Sequence, residues 1–393
     1  RSKCIRFDDG TCRQFPQIRW AYSHQRQLVP TRAVPRGAGA VWELPRAPRD
    51  DLDAVRFVPI GGDEPMTWAQ AYDANYTDGL VVLHRGRIVQ ERYAGVLRPG
   101  VQHLAMSVTK SFVGLLGAML VADGTLDEHA PASRWVPELA ESAFGHATVR
   151  QLLDMTTALR YSEDYANPAA EIYDFVRAGH VVPRPADYTG PDGFHAFLRT
   201  VQAQGTHGEA FAYKTVNTDV LAWVMARATG QTLDLLLAER LWQPLGTEHD
   251  AYFSVDALGT PFAGGGLNLA LRDLARVGEL MRLRGTRPDT GHRIVPAAVI
   301  DDIARGADPA RFAKAGYVLL PGWSYRSMWW VTHNPHGAYT ARGVHGQGIY
   351  VDPAAKMVVA RFASHPMAAN AHLDPTSLPA YHALARHLMA QPG

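Results

Sequence analysis

The sequence predicts an α+β fold: a central antiparallel sheet flanked by helices, with a mainly helical lobe set into it. Three observations carry that prediction. Strand-like runs at residues 79–93 come early, a helical pattern follows from about Asp127 to His249, and strand patterns return only after residue 323.

Taken in order, residues 1–50 hold ten Arg and Lys against four acids, with prolines at Pro16, Pro30, Pro35, Pro45 and Pro48. Proline removes a backbone donor and fixes φ, so this stretch reads as an extended N-terminal wrapping segment. Its arginines lie among Trp20, Tyr22 and Trp42, a mixture that anchors a tail on its own domain rather than on an anionic partner. Residues 51–125 and 255–393 are expected to form the α/β sheet domain, and residues 126–254 the helical one.

Gly79–His84 and Arg87–Tyr93 flank Arg85-Gly86, the signature of a hairpin with a tight turn. The run Phe112–Ala122 is apolar on every side, which predicts a buried helix stopped by Asp123-Gly124. In the middle, Thr148 and Gly230 are capping signals, and a loop-rich insert separates Tyr161 from Pro191. Late in the chain, Trp323–Val331, Gly343–Val351 and Met357–Phe362 are each expected to be one strand, the last two joined by Asp352-Pro353. An amphipathic stretch from Leu378 to Met389 should place a helix over the sheet.

Composition narrows the function. A net charge of +1 excludes a general nucleic-acid binder, and no apolar run reaches the 18 residues that would suggest a membrane span. The expected compartment is the cytoplasm. A leader ahead of Arg1, with Cys4 and Cys12 paired, would instead place the chain in the periplasm or outside the cell. No Gly-x-Ser-x-Gly elbow, phosphate loop or dinucleotide fingerprint occurs, and the closest histidine pair, His333 and His336, spans a turn with no further ligand in register, so no metal and no cofactor are expected.

The chemistry is concentrated at Ser107-Val-Thr-Lys110, at the mouth of the apolar helix. Residues three apart share a helical face, and a serine in the first turn has backbone N–H groups and the positive end of the dipole nearby. Lys110, one of only five lysines in the chain, is a base within reach, which arginine cannot be. Tyr213 precedes a second helix that runs to about Gly230. Two nearby ammonium groups would favour its phenolate and make it a second base.

Ser107-Val-Thr-Lys110, Tyr213 with Asn217-Thr-Asp219, and Gly343-Val-His-Gly-Gln347 resemble the three motif regions of class C β-lactamase-like serine hydrolases. Trp135–Ala140, Tyr161–Tyr165 and Asp273–Gly278 extend the resemblance over nearly the whole chain, and within the superfamily it is most similar to 6-aminohexanoate-dimer hydrolases and related carboxylesterases. The resemblance implies a β-lactamase/transpeptidase-like fold without cofactor. It also implies Ser107 as the acylated nucleophile, Lys110 as its proton acceptor and Tyr213 as the relay to the leaving group. The oxyanion hole would use the backbone N–H groups of Ser107 and Val344. Tyr165, Trp330 and Gly264 would line the substrate site, and His345, adjoining Val344, is expected to join them.

Two departures shape the expectation. Where penicillin-recognising relatives carry Lys-Thr-Gly, this chain has Ala341-Arg342-Gly343, and Asn217 lies four residues after Tyr213 rather than two. The acid that faces the substrate's amino group in amide-active members aligns with Val176, which favours esters or weak amide cleavage. The expected function is hydrolysis of small carboxylic esters and linear amides such as 6-aminohexanoate oligomers. The competing readings are a non-catalytic penicillin-binding, β-lactam-sensing module and a weak β-lactamase. The expected partner is a small-molecule substrate, and the base rate for such enzymes favours a homodimer.

Overall fold

The computed structural model describes residues 5–390. In the N-terminal segment, Thr31–Val34 forms strand β1, and Ile18–Ala21 adds one helical turn. Cys12 is buried, whereas Cys4 lies outside the described residues. Helix α1 (Trp68–Ala74) starts at a reciprocal cap, in which the Thr67 hydroxyl accepts from Gln70 N and the Gln70 side chain accepts from Thr67 N.

Strands β2 (Thr77–His84) and β3 (Arg87–Tyr93) form the expected hairpin, closed by Arg85 and Gly86 at φ 52° and 79°. Two successive left-handed residues match the twist of the strands they join. The short strand β4 (Gln102–Leu104) then leads into helix α2 (Val108–Ala122). The middle of the chain supplies α3 (Val149–Leu153), α4 (Glu171–Ala178), α5 (Phe194–Leu198) and α6 (Val216–Thr229). Strands β5 (Ala251–Ser254) and β6 (Leu267–Ala270) follow, then α7 (Leu271–Arg282) and α8 (Ala297–Arg305).

The late strands differ from expectation in two places. Trp323–Val331 is not one strand but a hairpin, β7 (Ser324–Arg326) and β8 (Trp329–Val331), turning at Ser327 and Met328 with φ 46° and 64°. Neither residue favours that conformation; contacts from afar hold it. Ser111 Oγ donates to Met328 O (2.7 Å), Ser327 N donates to Asp154 Oδ1 (2.9 Å) and Arg150 reaches Ser327 Oγ (3.0 Å). Likewise Gly343–Val351 divides into the end of β9 (Tyr339–Gly343), a tight turn over Val344–Gly346, and β10 (Gln347–Asp352). Strand β11 (Met357–Ala363) and helix α9 (Asp374–Ala390) complete the chain.

The large sheet is antiparallel throughout, in the order β7-β8-β9-β10-β11-β2-β3, so the early hairpin pairs directly with the last strand. A smaller antiparallel sheet has the order β1-β5-β6-β4. Alternation decides which side each side chain serves. Leu80 and Val82 join Trp68, Tyr381 and Leu384 under α1 and α9, while Val81 and Leu83 join Phe112 and Leu274 on the face covered by α2 and α7. Both faces are covered, which is why all eight residues of β2 are buried and its middle, Leu80–Leu83, reads as a continuous apolar run. Helix α2 lies in the middle of the larger core, with every residue from Val108 to Leu120 buried.

Candidate active site

Ser107 sits at the N-cap of α2, directly after Met106, whose φ of 49° turns the chain sharply from the strand side into the helix. A non-glycine residue held there is strained, and the helix that follows is anchored on two sides to hold it. Leu267 N donates to Thr109 Oγ1 (3.1 Å), and the Trp329 indole donates to Ser111 O (3.1 Å). One turn on, the buried Lys110 extends back along the same face. Its ammonium nitrogen lies 2.8 Å from Ser107 Oγ and 2.5 Å from Gly264 O.

Burial pushes the Lys110 pKa well below the usual lysine range, with Glu163 and Asp219 offsetting part of the shift. Asp219, on the first turn of α6, is buried in turn and its carboxyl is pushed up by desolvation, against the pull of Lys110. Its Oδ1 accepts from Ala263 N (2.9 Å) and Gly264 N (3.4 Å), while Oδ2 is buried with no hydrogen-bond partner. The carboxylate thus fixes the turn whose Gly264 carbonyl holds Lys110. Gly264 has no room for a side chain, since a Cβ would stand 2.2 Å from Thr215 Cγ2.

Tyr213 stands on the other side of the serine. Ser107 is near enough to lower its proton affinity, and Lys110 Nζ lies 5.1 Å from its ring centroid. The expectation of a phenolate is overturned: desolvation and then the Glu163 charge hold the phenol well above its ordinary pKa. Lys110 is the ammonium placed over its ring, whereas the ammonium of Lys214 donates to Leu159 O. Next to Ala341, which stands where the penicillin-recognising relatives carry a lysine, Arg342 pairs with Asp374 (2.6 Å) and stacks over Trp330 and Trp323 at 5.1 and 5.5 Å.

A cavity of about 400 Å³ opens over Ser107, and Tyr165, Tyr213, Trp330, Arg342 and Val344 are among its walls. Val344 follows the end of β9, where Gly343 permits a close approach. A Cβ there would stand 2.8 Å from Ala105 O and 3.1 Å from Ser107 N. The strand end and the Ser107 amide are therefore brought side by side, the arrangement needed for two backbone donors to meet one oxygen.

Other expected residues are placed differently. His345 does not reach the cavity: at φ 62°, its ring turns to His365 O (2.6 Å) and packs edge-on against Tyr22. Gly264 holds Lys110 rather than lining the cavity. Asn217 is buried against Thr157 (2.6 Å) and Lys214 O, and Val176 packs on the core. The Tyr165 hydroxyl, expected in the substrate site, donates to Glu163 Oε1 (2.5 Å).

Sequence reasoning passed over Glu163, although it lies inside the Tyr161–Tyr165 segment. Besides the Tyr165 hydroxyl, its carboxylate accepts from the Thr215 amide (2.5 Å) and hydroxyl, tying the insert to the segment that carries Tyr213. Asp219 was legible as an acid at the start of the apolar run Val220–Ala226, a pattern that signals a buried charge with a task. His333 and His336 are engaged with Ser324 and Asp352, and among the described residues no group of His, Cys, Asp and Glu is arranged to hold a metal ion. No helix among them is long and apolar enough to cross a membrane.

A serine and a desolvated lysine at the head of a buried helix, beside the end of strand β9 in a sheet of this topology, define a serine hydrolase with the β-lactamase/transpeptidase-like fold. The beta-lactamase family profile matches residues 69–377, and the chain belongs to that family. It is 35% identical over 353 residues to the 6-aminohexanoate-dimer hydrolase of Paenarthrobacter ureafaciens, covering 89% of this chain and 86% of that one. Esterase EstB of Burkholderia gladioli is 27% identical, over 77% of this chain and 87% of its own length. Among solved structures, a chain assigned as a 6-aminohexanoate-dimer hydrolase from Bacillus anthracis superposes with a TM-score of 0.89 at 28% identity, covering 100% of this chain and 99% of that one. A family VIII carboxylesterase shares the fold, with a TM-score of 0.57 at 18% identity, over 80% of this chain and 96% of its own.

Proposed function

We propose that this chain hydrolyses small carboxylic esters, and linear amides such as 6-aminohexanoate oligomers, through an acyl-enzyme on Ser107. The observation that carries the proposal is the 2.8 Å contact between Ser107 Oγ and a lysine whose proton is loosened by burial, opening on a cavity of about 400 Å³. Neutral Lys110 takes the Ser107 proton as Oγ forms its bond to the substrate carbonyl carbon. The carbonyl oxygen becomes an oxyanion against the amides of Ser107 and Val344. The bond to the leaving oxygen or nitrogen then breaks, and the phenol of Tyr213 gives that atom a proton and is reprotonated by the Lys110 ammonium, which returns Lys110 to its neutral form. Water repeats the sequence on the acyl-enzyme and releases the acid.

Tyr213 acts here as a neutral relay, and Lys110 is the group that starts as a base. The test is hydrolysis of 4-nitrophenyl acetate and of the 6-aminohexanoate dimer by the native chain and by Ser107→Ala. Loss of general-base or nucleophilic function typically costs at least about 100-fold, so the variant should fall to background. A stoichiometric burst without turnover would point to a β-lactam-sensing module instead, and equal rates in both proteins would remove Ser107 from the mechanism.

A further inference from the structure

One wall of the cavity is apolar and unusually exposed. Val318 is 88% exposed although it lines the same cavity as Ser107, and Tyr317 and Leu319 stand beside it. The segment Gly316–Leu320 carries no charged side chain; the acids of the cavity, Glu163, Asp164 and Asp374, come from other parts of the chain. An apolar side chain that open to water normally costs nothing only where it stands alone, and here it continues a connected apolar surface.

That surface has a direction. Tyr213, which lines the cavity together with Ser107, packs on Trp330 with ring centroids 5.3 Å apart, and Trp330 packs edge-on against Tyr317 at 5.5 Å. Val318 and Leu319 prolong the row to the rim. The row therefore starts at the residue that, in the mechanism proposed above, gives its proton to the departing atom. We infer that the row Tyr213–Trp330–Tyr317–Val318 is a leaving-group subsite that takes a linear apolar chain on the alcohol or amine side of the scissile bond. This inference rests on the acyl-enzyme reading.

Esters that share an acyl half and differ in the alcohol separate this subsite from the rest of the mechanism. Ethyl, butyl and hexyl acetate all give the same acetyl-enzyme, so deacylation is common to them and kcat/KM reports how the leaving chain is held during acylation. A methylene fully buried against an apolar wall is worth about 4-fold, and on this half-open wall the native kcat/KM should rise roughly 10-fold or more from ethyl to hexyl acetate. Val318→Asp should flatten the hexyl-to-ethyl ratio to within about 2-fold, whereas Val318→Leu should keep it. The ratio between 4-nitrophenyl butyrate and 4-nitrophenyl acetate, which differ in the acyl chain, should be the same in all three proteins. A native hexyl-to-ethyl ratio near one, or an undiminished ratio in Val318→Asp, overturns the subsite while leaving the hydrolase reading intact. No turnover of any acetate by the native chain overturns both.

Discussion

At the scale of single residues, the site depends on a lysine kept short of its proton. The i, i+3 spacing brings Lys110 to Ser107, but what makes it a base is its burial, against which Asp219 and Glu163 pull only partway. Because Tyr213 stays protonated, one group governs the acid limb of the activity profile: kcat/KM for 4-nitrophenyl acetate should rise with pH as Lys110 gives up its proton. A profile flat from about pH 5 to pH 9 would contradict that role. Asp219→Asn keeps an acceptor for the Ala263 and Gly264 amides and removes a carboxyl whose pKa burial pushes up to about 8 against the pull of Lys110. With less charge to stabilise its ammonium form, Lys110 loses its proton more easily, so the acid limb should move to lower pH. A limb that stays in place would mean that Asp219 acts only through the turn it holds.

At the scale of elements, two glycines set how closely helix α2 meets its neighbours. A Cβ on Gly114 would stand 2.2 Å from Ser327 O and 2.7 Å from Met328 Cβ, inside the strained turn between β7 and β8. Gly114→Ala should therefore destabilise the protein by about 1–3 kcal/mol, read from denaturant unfolding. Gly343→Ala acts at the other end, where β9 meets the Ser107 amide. Its expected signature is catalytic, with kcat lowered by up to about 100-fold and a smaller loss of stability, because displacing a backbone donor by a fraction of an ångström misaims it. The β7–β8 hairpin also shows where element reading fails. Trp323–Val331 has the composition of one strand, and only Ser111, Asp154 and Arg150, from two other helices and the residue after one of them, force it to turn.

At the scale of the whole molecule, a buried arginine joins segments far apart in the chain. Arg276 on α7 donates to Trp42 O (2.7 Å), pairs with Asp273 (2.9 Å) and contacts Glu248, linking the N-terminal segment, α7 and the chain just before β5. Asp273 in turn accepts from the amides of Glu248 and His249. Arg276→Ala leaves these acids without their partner and should cost about 3–5 kcal/mol, measured by chemical unfolding, while native kcat/KM at low temperature persists because the network does not touch the cavity. An unfolding midpoint equal to that of the native protein would show that the wrapping segment is not held through this residue.

The features legible in the sequence are those with local causes. Helix geometry alone puts Ser107 beside Lys110, turn chemistry closes the β2–β3 hairpin, and consecutive apolar residues in β2 report a strand covered on both faces. The tertiary structure decided everything that depends on neighbours from elsewhere. It keeps Tyr213 a phenol, directs His345 away from the cavity, spends the Arg342 charge on Asp374 and builds the apolar wall at Tyr317 and Val318. Spacing along a helix is a property of the backbone, whereas a proton affinity or a cavity wall is a sum over groups that only folding brings within reach.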